Sequence, residues 1–315
     1  MTTTFDVLII GGGPAGLSTA ASIVRQSHPT LIIDSGKYRN KDSYMHTVPT
    51  WDHAKAGDFR AAARKDFERY NTVQIEDGEV STVNKTEAGL FQATCTNGKV
   101  FEAHKLVLAT GIVDVLPKIE GYAECWATGI FHCLYCHGWE ERDVPSSGIL
   151  AEGEIANVVV SLHVARQALR LSKETTIYTL GNEKLAIDIT AATATAPTMK
   201  VDSRPIKKLT KGSERAEVII HFEDGTTKVE GYLVHKPKTV LRGDLAQQLG
   251  LDLTPQNTIK VNPPFNQTSV KGVFAAGDAA NPMQTVTQAI FSGTVCGGGA
   301  PLQLQAETYG QKGLF

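Results

Sequence analysis

Phe5-Asp6-Val7-Leu8-Ile9-Ile10-Gly11-Gly12-Gly13-Pro14-Ala15-Gly16-Leu17 is the stretch on which the fold turns. A short β-rich apolar run, Phe5–Ile10, enters the pattern Gly11-x-Gly13-x-x-Gly16. A helical pattern follows through Leu17, Ala20, Ala21 and Val24. The next apolar run, Thr30–Ile33, ends in Asp34. Strand, glycine turn, helix, strand and acid form a βαβ unit of the dinucleotide-binding kind. Gly11 permits the tight turn, Gly13 lets the backbone approach a pyrophosphate, and Gly16 lets the helix pack on the sheet. The helix N-terminus, with Pro14 and Ala15 in its first turn, holds the phosphates, and Asp34 accepts hydrogen bonds from ribose hydroxyls.

Outward from this unit, Tyr44–Trp51 is irregular and Asp58–Tyr70 has helix-forming composition. Residues 73–108 alternate in short runs, with a hairpin turn at Thr96-Asn97-Gly98-Lys99. Leu106–Ala109 is a strand stopped by Thr110-Gly111, and Pro117 breaks the pattern as a linker. A second α/β unit opens near Gly148, with Ile149–Leu150, a turn, a helix over Ile155–Leu171 and a strand over Thr175–Leu180. Val218–Phe222 and Gly231–Val234 are strand-like, and Lys236-Pro237-Lys238 is a second linker. Gly272–Asp278 is a strand running into a Gly-Asp turn, and a helix starts at Thr285.

The expected fold is α/β, with two Rossmann-like, three-layer nucleotide-binding domains, the second inserted into the first. Residues 1–116 and 239–315 form the first domain and 117–238 the insert. Ala109 at the end of one late strand and Gly277-Asp278 at the end of another would close one site from both halves, which favours FAD over NAD. The helix starting at Thr285-Val286 would point at the flavin pyrimidine, whose O2 carries negative charge upon reduction.

The chain has 315 residues, with 31 Lys+Arg against 33 Asp+Glu and a net charge of −2. With 42% apolar and 20% charged residues, it is an ordinary globular composition with material for two cores. The near-zero balance leaves no basic footprint for nucleic acid, and no apolar run approaches the ~18–20 residues that span a bilayer. No basic region precedes the first apolar run, so no signal peptide is expected and the chain reads as cytoplasmic.

Five cysteines, Cys95, Cys125, Cys133, Cys136 and Cys296, are an odd count for a structural disulfide framework. Cys133-Leu134-Tyr135-Cys136 reads instead as redox or metal chemistry. One reading is a reactive dithiol at a helix mouth, where the dipole and free N–H groups favour the thiolate. The other is a zinc site with Cys125, His132 or His137 as further ligands. Cys95, Cys125 and Cys296 read as small buried hydrophobes.

In order along the chain, the Gly-x-Gly-x-x-Gly, the Ala-Thr-Gly, the Cys-x-x-Cys and the Gly-Asp segment resemble the low-molecular-weight thioredoxin reductases over nearly the whole length. Within that group, Cys133-Leu134-Tyr135-Cys136-His137-Gly138-Trp139-Glu140 looks most like the dithiol oxidases that close the disulfides of gliotoxin and holomycin. The resemblance implies FAD, a homodimer, Cys136 against the flavin and Cys133 toward substrate. It maps the family's flavin loop onto Asp34, Ser35, Gly36, Lys37, Tyr38, Arg39 and His46. Thioredoxin reductases usually carry Asp after the second cysteine; His137 can take protons from substrate thiols near neutral pH, which Asp does poorly.

The resemblance also calls for NADPH, but the turn that should hold it is Ala151-Glu152-Gly153-Glu154-Ile155-Ala156. Ala151 replaces the first glycine, and two carboxylates occupy the phosphate cradle. At ~6 Å and an effective dielectric of ~20, each carboxylate–phosphate pair costs about 3 kcal/mol, roughly a hundredfold in affinity. Tyr178-Thr179-Leu180-Gly181-Asn182-Glu183 offers no arginine for a 2′-phosphate. NADPH is therefore a doubtful cofactor. The expected activity is FAD-dependent oxidation of a small-molecule dithiol, with dioxygen as acceptor and hydrogen peroxide as product. The alternatives are an NADPH-dependent disulfide reductase and a non-enzymatic flavoprotein.

Overall fold

The computed structural model describes residues 4–39, 43–193 and 195–315. The chain forms two compact units, Met1–Val113 with Val240–Phe315, and Asp114–Thr239. The sequence placed the crossings at 116/117 and 238/239. They fall at 113/114 and 239/240, inside two strands, Ile112–Val115 and Lys238–Leu241, that pair with each other. Pro117 lies beyond the end of its strand, so the crossing precedes the compositional break.

In the first unit the strands Val73–Asp77, Thr30–Asp34, Thr4–Ile10 and Val100–Leu108 lie side by side, all parallel. The long strand Val100–Leu108 divides its free edge. Its first half pairs antiparallel with Phe91–Cys95 and its second half parallel with Val273–Ala275. The hairpin expected around Asn97-Gly98 is this antiparallel pair, with Gly98 at φ +83°. The strand expected over Leu106–Ala109 is the end of the longer one.

Side chains alternate across this sheet, as the two-residue period demands. Leu8, Ile10, Leu31, Ile33, Leu106 and Leu108 pack on one face with Leu245 and Leu251. Val7, Ile9, Ile32 and Val107 pack on the other with Leu17, Ile23, Ala289 and Cys296. Both faces are covered, which is why the strands read as near-continuous apolar runs. Each fully buried Leu or Ile contributes on the order of 1.5–3 kcal/mol. The helices Pro14–Ile23 and Val286–Thr308 cross closely at Gly293, where an added Cβ would stand 2.2 Å from the Ala15 carbonyl oxygen.

The second unit has its own parallel sheet, in the order Ile130–Phe131, Leu233–Val234, Val144–Leu150, Ser172–Tyr178, Met199–Asp202. Helices Val158–Ala168 and Glu183–Ala192 and an antiparallel sheet of Ile206–Lys211, Val218–Phe222 and Thr227–Glu230 belong to the same unit. The helix expected from Ile155 begins three positions later. Gly153–Ile155 makes one 3₁₀ turn, and Asn157 then caps the helix by accepting from the Val160 N–H at 2.9 Å. Among the described residues no helix is long and apolar enough to cross a membrane.

Candidate functional site

In the first unit the parallel register aligns Ile10 with Ile33 and Leu108, and Leu108 with Ala275. The carboxyl ends of these strands, where open α/β sheets bind ligands, meet at one cavity. Of the residues assigned to the cofactor from the sequence, all but Gly16, Gly36 and His46 line it. Gly16 is turned to the fold itself, since a Cβ there would stand 1.9 Å from the Gly11 carbonyl oxygen. Gly36 donates its N–H to Asp34 Oδ1 at 3.0 Å. His46 lies beside Asp52, with its Nδ1 3.3 Å from Oδ1.

Gly11 sits at φ +117°, and a Cβ would be 2.2 Å from the Ala109 carbonyl oxygen. Gly13 differs: a Cβ there meets nothing within 4 Å, and its backbone is ordinary, φ −79° and ψ −176°. The space over Gly13 is cavity. Gly13 also caps the following helix without a side-chain hydrogen bond, Pro14 stands in the first turn, and no acid occupies that turn. The first N–H groups thus face the cavity as an anion site. Gly12, passed over in the sequence reading as a variable position, is equally constrained: a Cβ would lie 2.1 Å from Asp34 Oδ2.

Asp34 is 3% exposed. Its Oδ2 accepts from Arg64 Nη2 at 2.5 Å and from the Tyr38 hydroxyl. Burial, then the hydrogen bond and charge of Asp34, push the Tyr38 phenol up to about 12, so it stays a donor. Arg60 stacks over the Tyr38 ring, 3.8 Å from its centroid. Arg60 and Arg64 were missed in the sequence; their four-residue spacing on the helix Ala56–Phe67, which puts both on one face, is the signal that could have found them. Arg39 donates to Gln284 Oε1 at 2.7 Å and lies 3.9 Å from Asp278 Oδ2. Ser292, also missed, accepts from the Gly277 N–H at 2.9 Å and ties the Gly-Asp turn to the helix behind it.

Arg242 was unremarked in the sequence as well. It follows the second crossing, lines the cavity, and donates through Nη2 to the Ile112 carbonyl at 3.1 Å. Its Nε is buried without a partner among the described residues. A buried charged donor left unmet costs on the order of 1–3 kcal/mol or more, and an anionic ligand would meet it.

The second unit carries the dithiol motif. Cys133 and Cys136 are joined as a disulfide with Cα atoms 5.3 Å apart. Cys133 caps the helix Leu134–His137, and the N–H groups of Cys136 and His137 donate to its carbonyl. The helix is a single turn, so its dipole is much smaller than a long helix would supply. His137 is half-buried, stacked on Phe131 with ring centroids 5.2 Å apart, and 6.4 Å from His132. Cys125 is fully buried in a separate apolar cluster with Tyr122 and Leu209, so it is not gathered with the pair into a zinc site. Cys95 and Cys296 are buried too.

The turn expected to refuse NADPH differs in one respect from its sequence reading. Glu152 and Glu154 are both exposed, but Glu154 pairs with Lys236 Nζ at 2.6 Å. Among the described residues the turn therefore holds one uncompensated carboxylate, not two, and exposure screens it further. Asn157 occupies a donor at the helix start. Arg204, the cation nearest in sequence to the end of the strand Met199–Asp202, is engaged by Asp202 at 2.6 Å and Asp224 at 3.5 Å.

The family of pyridine nucleotide-disulphide oxidoreductases matches residues 5–293. Thioredoxin reductase tcpT of Claviceps purpurea is 45% identical, over 98% of this chain and 97% of that protein. Thioredoxin reductase aclD of Aspergillus oryzae is 43% identical, over 95% and 96%. The crystal structure of an oxidoreductase from Agrobacterium tumefaciens superposes with a TM-score of 0.85 at 32% identity, over 98% of this chain and 99% of that one. With its paired nucleotide-type units and its Cys133–Cys136 disulfide, the chain belongs to the pyridine nucleotide-disulphide oxidoreductases, among their thioredoxin reductase-like members.

Proposed function

We propose that the chain is an FAD-dependent dithiol oxidase that closes a disulfide in a small-molecule dithiol of secondary metabolism, with dioxygen as final acceptor and hydrogen peroxide as product. The contrast between the two nucleotide turns carries this reading. The turn at Gly11–Gly16 leaves its helix N-terminus uncapped over open space. The turn at Ala151–Ala156 lacks the first glycine, exposes Glu152 and spends a helix donor on Asn157. Such a chain has an electron store and a dithiol, but a poor seat for a nicotinamide cofactor.

Membership of the family implies a flavin. The residues of the first cavity fit FAD: the open cradle at Gly13, the buried Arg242 Nε and the uncapped helix start suit a pyrophosphate, and Asp34 lines the same cavity. Gly13–Ala15 and Arg242 would hold the group. The chemistry FAD would supply there is two-electron oxidation of the reduced cysteine pair, with dioxygen as the final acceptor.

The chain's own residues account for the rest. A substrate thiol loses its proton to His137, and the thiolate attacks Cys133 Sγ. The Cys133–Cys136 bond breaks, and Cys136 leaves as thiolate. The substrate's second thiol then attacks its own sulfur in the mixed disulfide and expels Cys133. Both substrate thiols sit on one small molecule, which favours this closure by proximity. Substrate loses two electrons and two protons, and the protein cysteines hold the electrons. The reading carries a homodimer and a cytoplasmic setting with it.

The test is anaerobic stopped-flow absorbance of the flavin band, paired with an oxygen electrode. A small dithiol should bleach the flavin, and in air it should consume oxygen without NADPH. Cys136→Ser should retain flavin and lose bleaching by dithiol. The Lys236–Glu154 pair and the relatives' names favour a second reading, an NADPH-dependent disulfide reductase. Rapid bleaching by NADPH and disulfide-dependent NADPH consumption would establish that one instead.

A further inference from the structure

The loop at 46–53 holds a cluster that neither nucleotide turn nor the dithiol uses. Its ends are clasped. Tyr44–Met45 pairs antiparallel with Ala54–Lys55, and the His53 N–H donates to the Met45 carbonyl at 2.8 Å. His53 is held at φ +58°, a conformation few side chains adopt unaided. The result gathers His46, Asp52 and His53, whose ligating atoms all lie within 4.8 Å of one another. His46 Nδ1 is 3.3 Å from Asp52 Oδ1, and His53 Nε2 is 3.5 Å from Asp52 Oδ2. The two imidazole rings meet edge to face with centroids 4.6 Å apart.

We propose that His46, Asp52 and His53 form a site for a divalent cation of the zinc class, with two nitrogens and one carboxylate as protein ligands and water in the fourth position. Tetrahedral zinc with bonds of ~2.0–2.1 Å spaces its ligand atoms about 3.3–3.4 Å apart. The three ligating atoms, one from each residue, lie within 4.8 Å of one another, so a bound ion would draw them in toward that spacing; the two histidine–aspartate contacts run to different Asp52 oxygens. Imidazole nitrogen selects against magnesium and calcium, which take oxygen ligands. Asp52 and His53 are each 57% exposed in their side chains, so a cation reaches them without opening the fold. His46 is 11% exposed and anchors the site on its inner side. The loop runs directly into the helix Ala56–Phe67, whose Ala56 and Arg60 line the cavity. A cation here would clamp the loop leading into that helix.

The experiment is calorimetric titration of zinc chloride into tag-free, flavin-loaded protein with the Cys133–Cys136 disulfide intact, so that no thiol competes. One zinc per chain should bind saturably, at micromolar or tighter Kd, and magnesium chloride should give no binding heat. His53→Ala and Asp52→Asn should each weaken zinc by at least about tenfold, the lower end of what loss of even a supporting group costs at such sites, with flavin content unchanged. Cobalt(II) in place of zinc should give a visible d–d spectrum in the parent that both variants lose. Absence of saturable zinc binding in the parent overturns the site, as does binding that both variants retain. Neither outcome bears on dithiol turnover, so this test and that of the oxidase reading fail independently.

Discussion

Replacing Gly13 by valine should separate cofactor binding from folding. Gly13 has backbone angles that any residue adopts, and its Cβ direction is empty to 4 Å. A side chain there strains nothing in the protein. Less entropy in the unfolded chain stabilises by about 0.4–1 kcal/mol, and valine is a poorer N-cap than glycine by up to about 1 kcal/mol. The two nearly cancel, so the flavin-free variant should melt within a few degrees of the flavin-free parent. The isopropyl group would stand where a pyrophosphate must approach the N–H groups of the first turn. Losing two charge-assisted hydrogen bonds, at about 1.5–3 kcal/mol each, weakens FAD by about 3–6 kcal/mol, or ~10²–10⁴ in Kd. The assay is FAD titration of apoprotein by flavin fluorescence, with the thermal midpoint of the same preparations as control. Gly16→Val is the contrast, because its Cβ would fall 1.9 Å from the Gly11 carbonyl oxygen; it should lose fold and flavin together. A Gly13→Val protein that binds FAD at the parent Kd would refute the placement of the pyrophosphate.

Two further outcomes follow from the second unit. His137→Ala should slow dithiol oxidation by roughly 10²–10⁴ if His137 is the general base, with partial recovery at higher pH, where substrate thiols ionise unaided; an unchanged rate at neutral pH would remove it from the chemistry. His235 is 2% exposed, its Nδ1 lies 2.7 Å from the Tyr122 hydroxyl, and burial holds it down at about 4. Its folded value lies below the unfolded ~6.5, so the unfolded state binds the extra proton. Its contribution is whole above pH ~6.5 and fades as pH falls toward 4, by up to about 3 kcal/mol. Denaturant melts of the parent and His235→Gln should therefore converge between those values; parallel pH profiles would count against the buried neutral imidazole.

What could be read directly from the chain was local. Gly11, Gly13 and Gly16, the strand before them and Asp34 after them announce a nucleotide turn because they fall at the fixed spacing of one strand–turn–helix–strand unit. Cys133 and Cys136 announce redox or metal chemistry because three positions on one turn bring two sulfurs together; the structure joins them as a disulfide. The Asn157 cap shortened a helix whose apolar pattern ran further, and the crossing falls inside the paired strands Ile112–Val115 and Lys238–Leu241, ahead of Pro117. There, hydrogen bonds outweighed composition.

Tertiary structure alone decided which distant polar groups meet. Arg64 on Asp34, Lys236 on Glu154, Ser292 on Gly277 and the unmet Nε of Arg242 are each set by how separate elements pack. Apart from the four-residue spacing of Arg60 and Arg64 on one helix, no periodicity encodes them, since a charged side chain reads as a solvated face until a partner from elsewhere in the chain arrives. His46, which the resemblance assigns to the flavin loop, is set against Asp52 and His53 by the clasped strands on either side of residues 46–53. Short-range backbone preference made the turns legible in the sequence; the coming together of remote side chains, driven by burial of the two cores, made the sites.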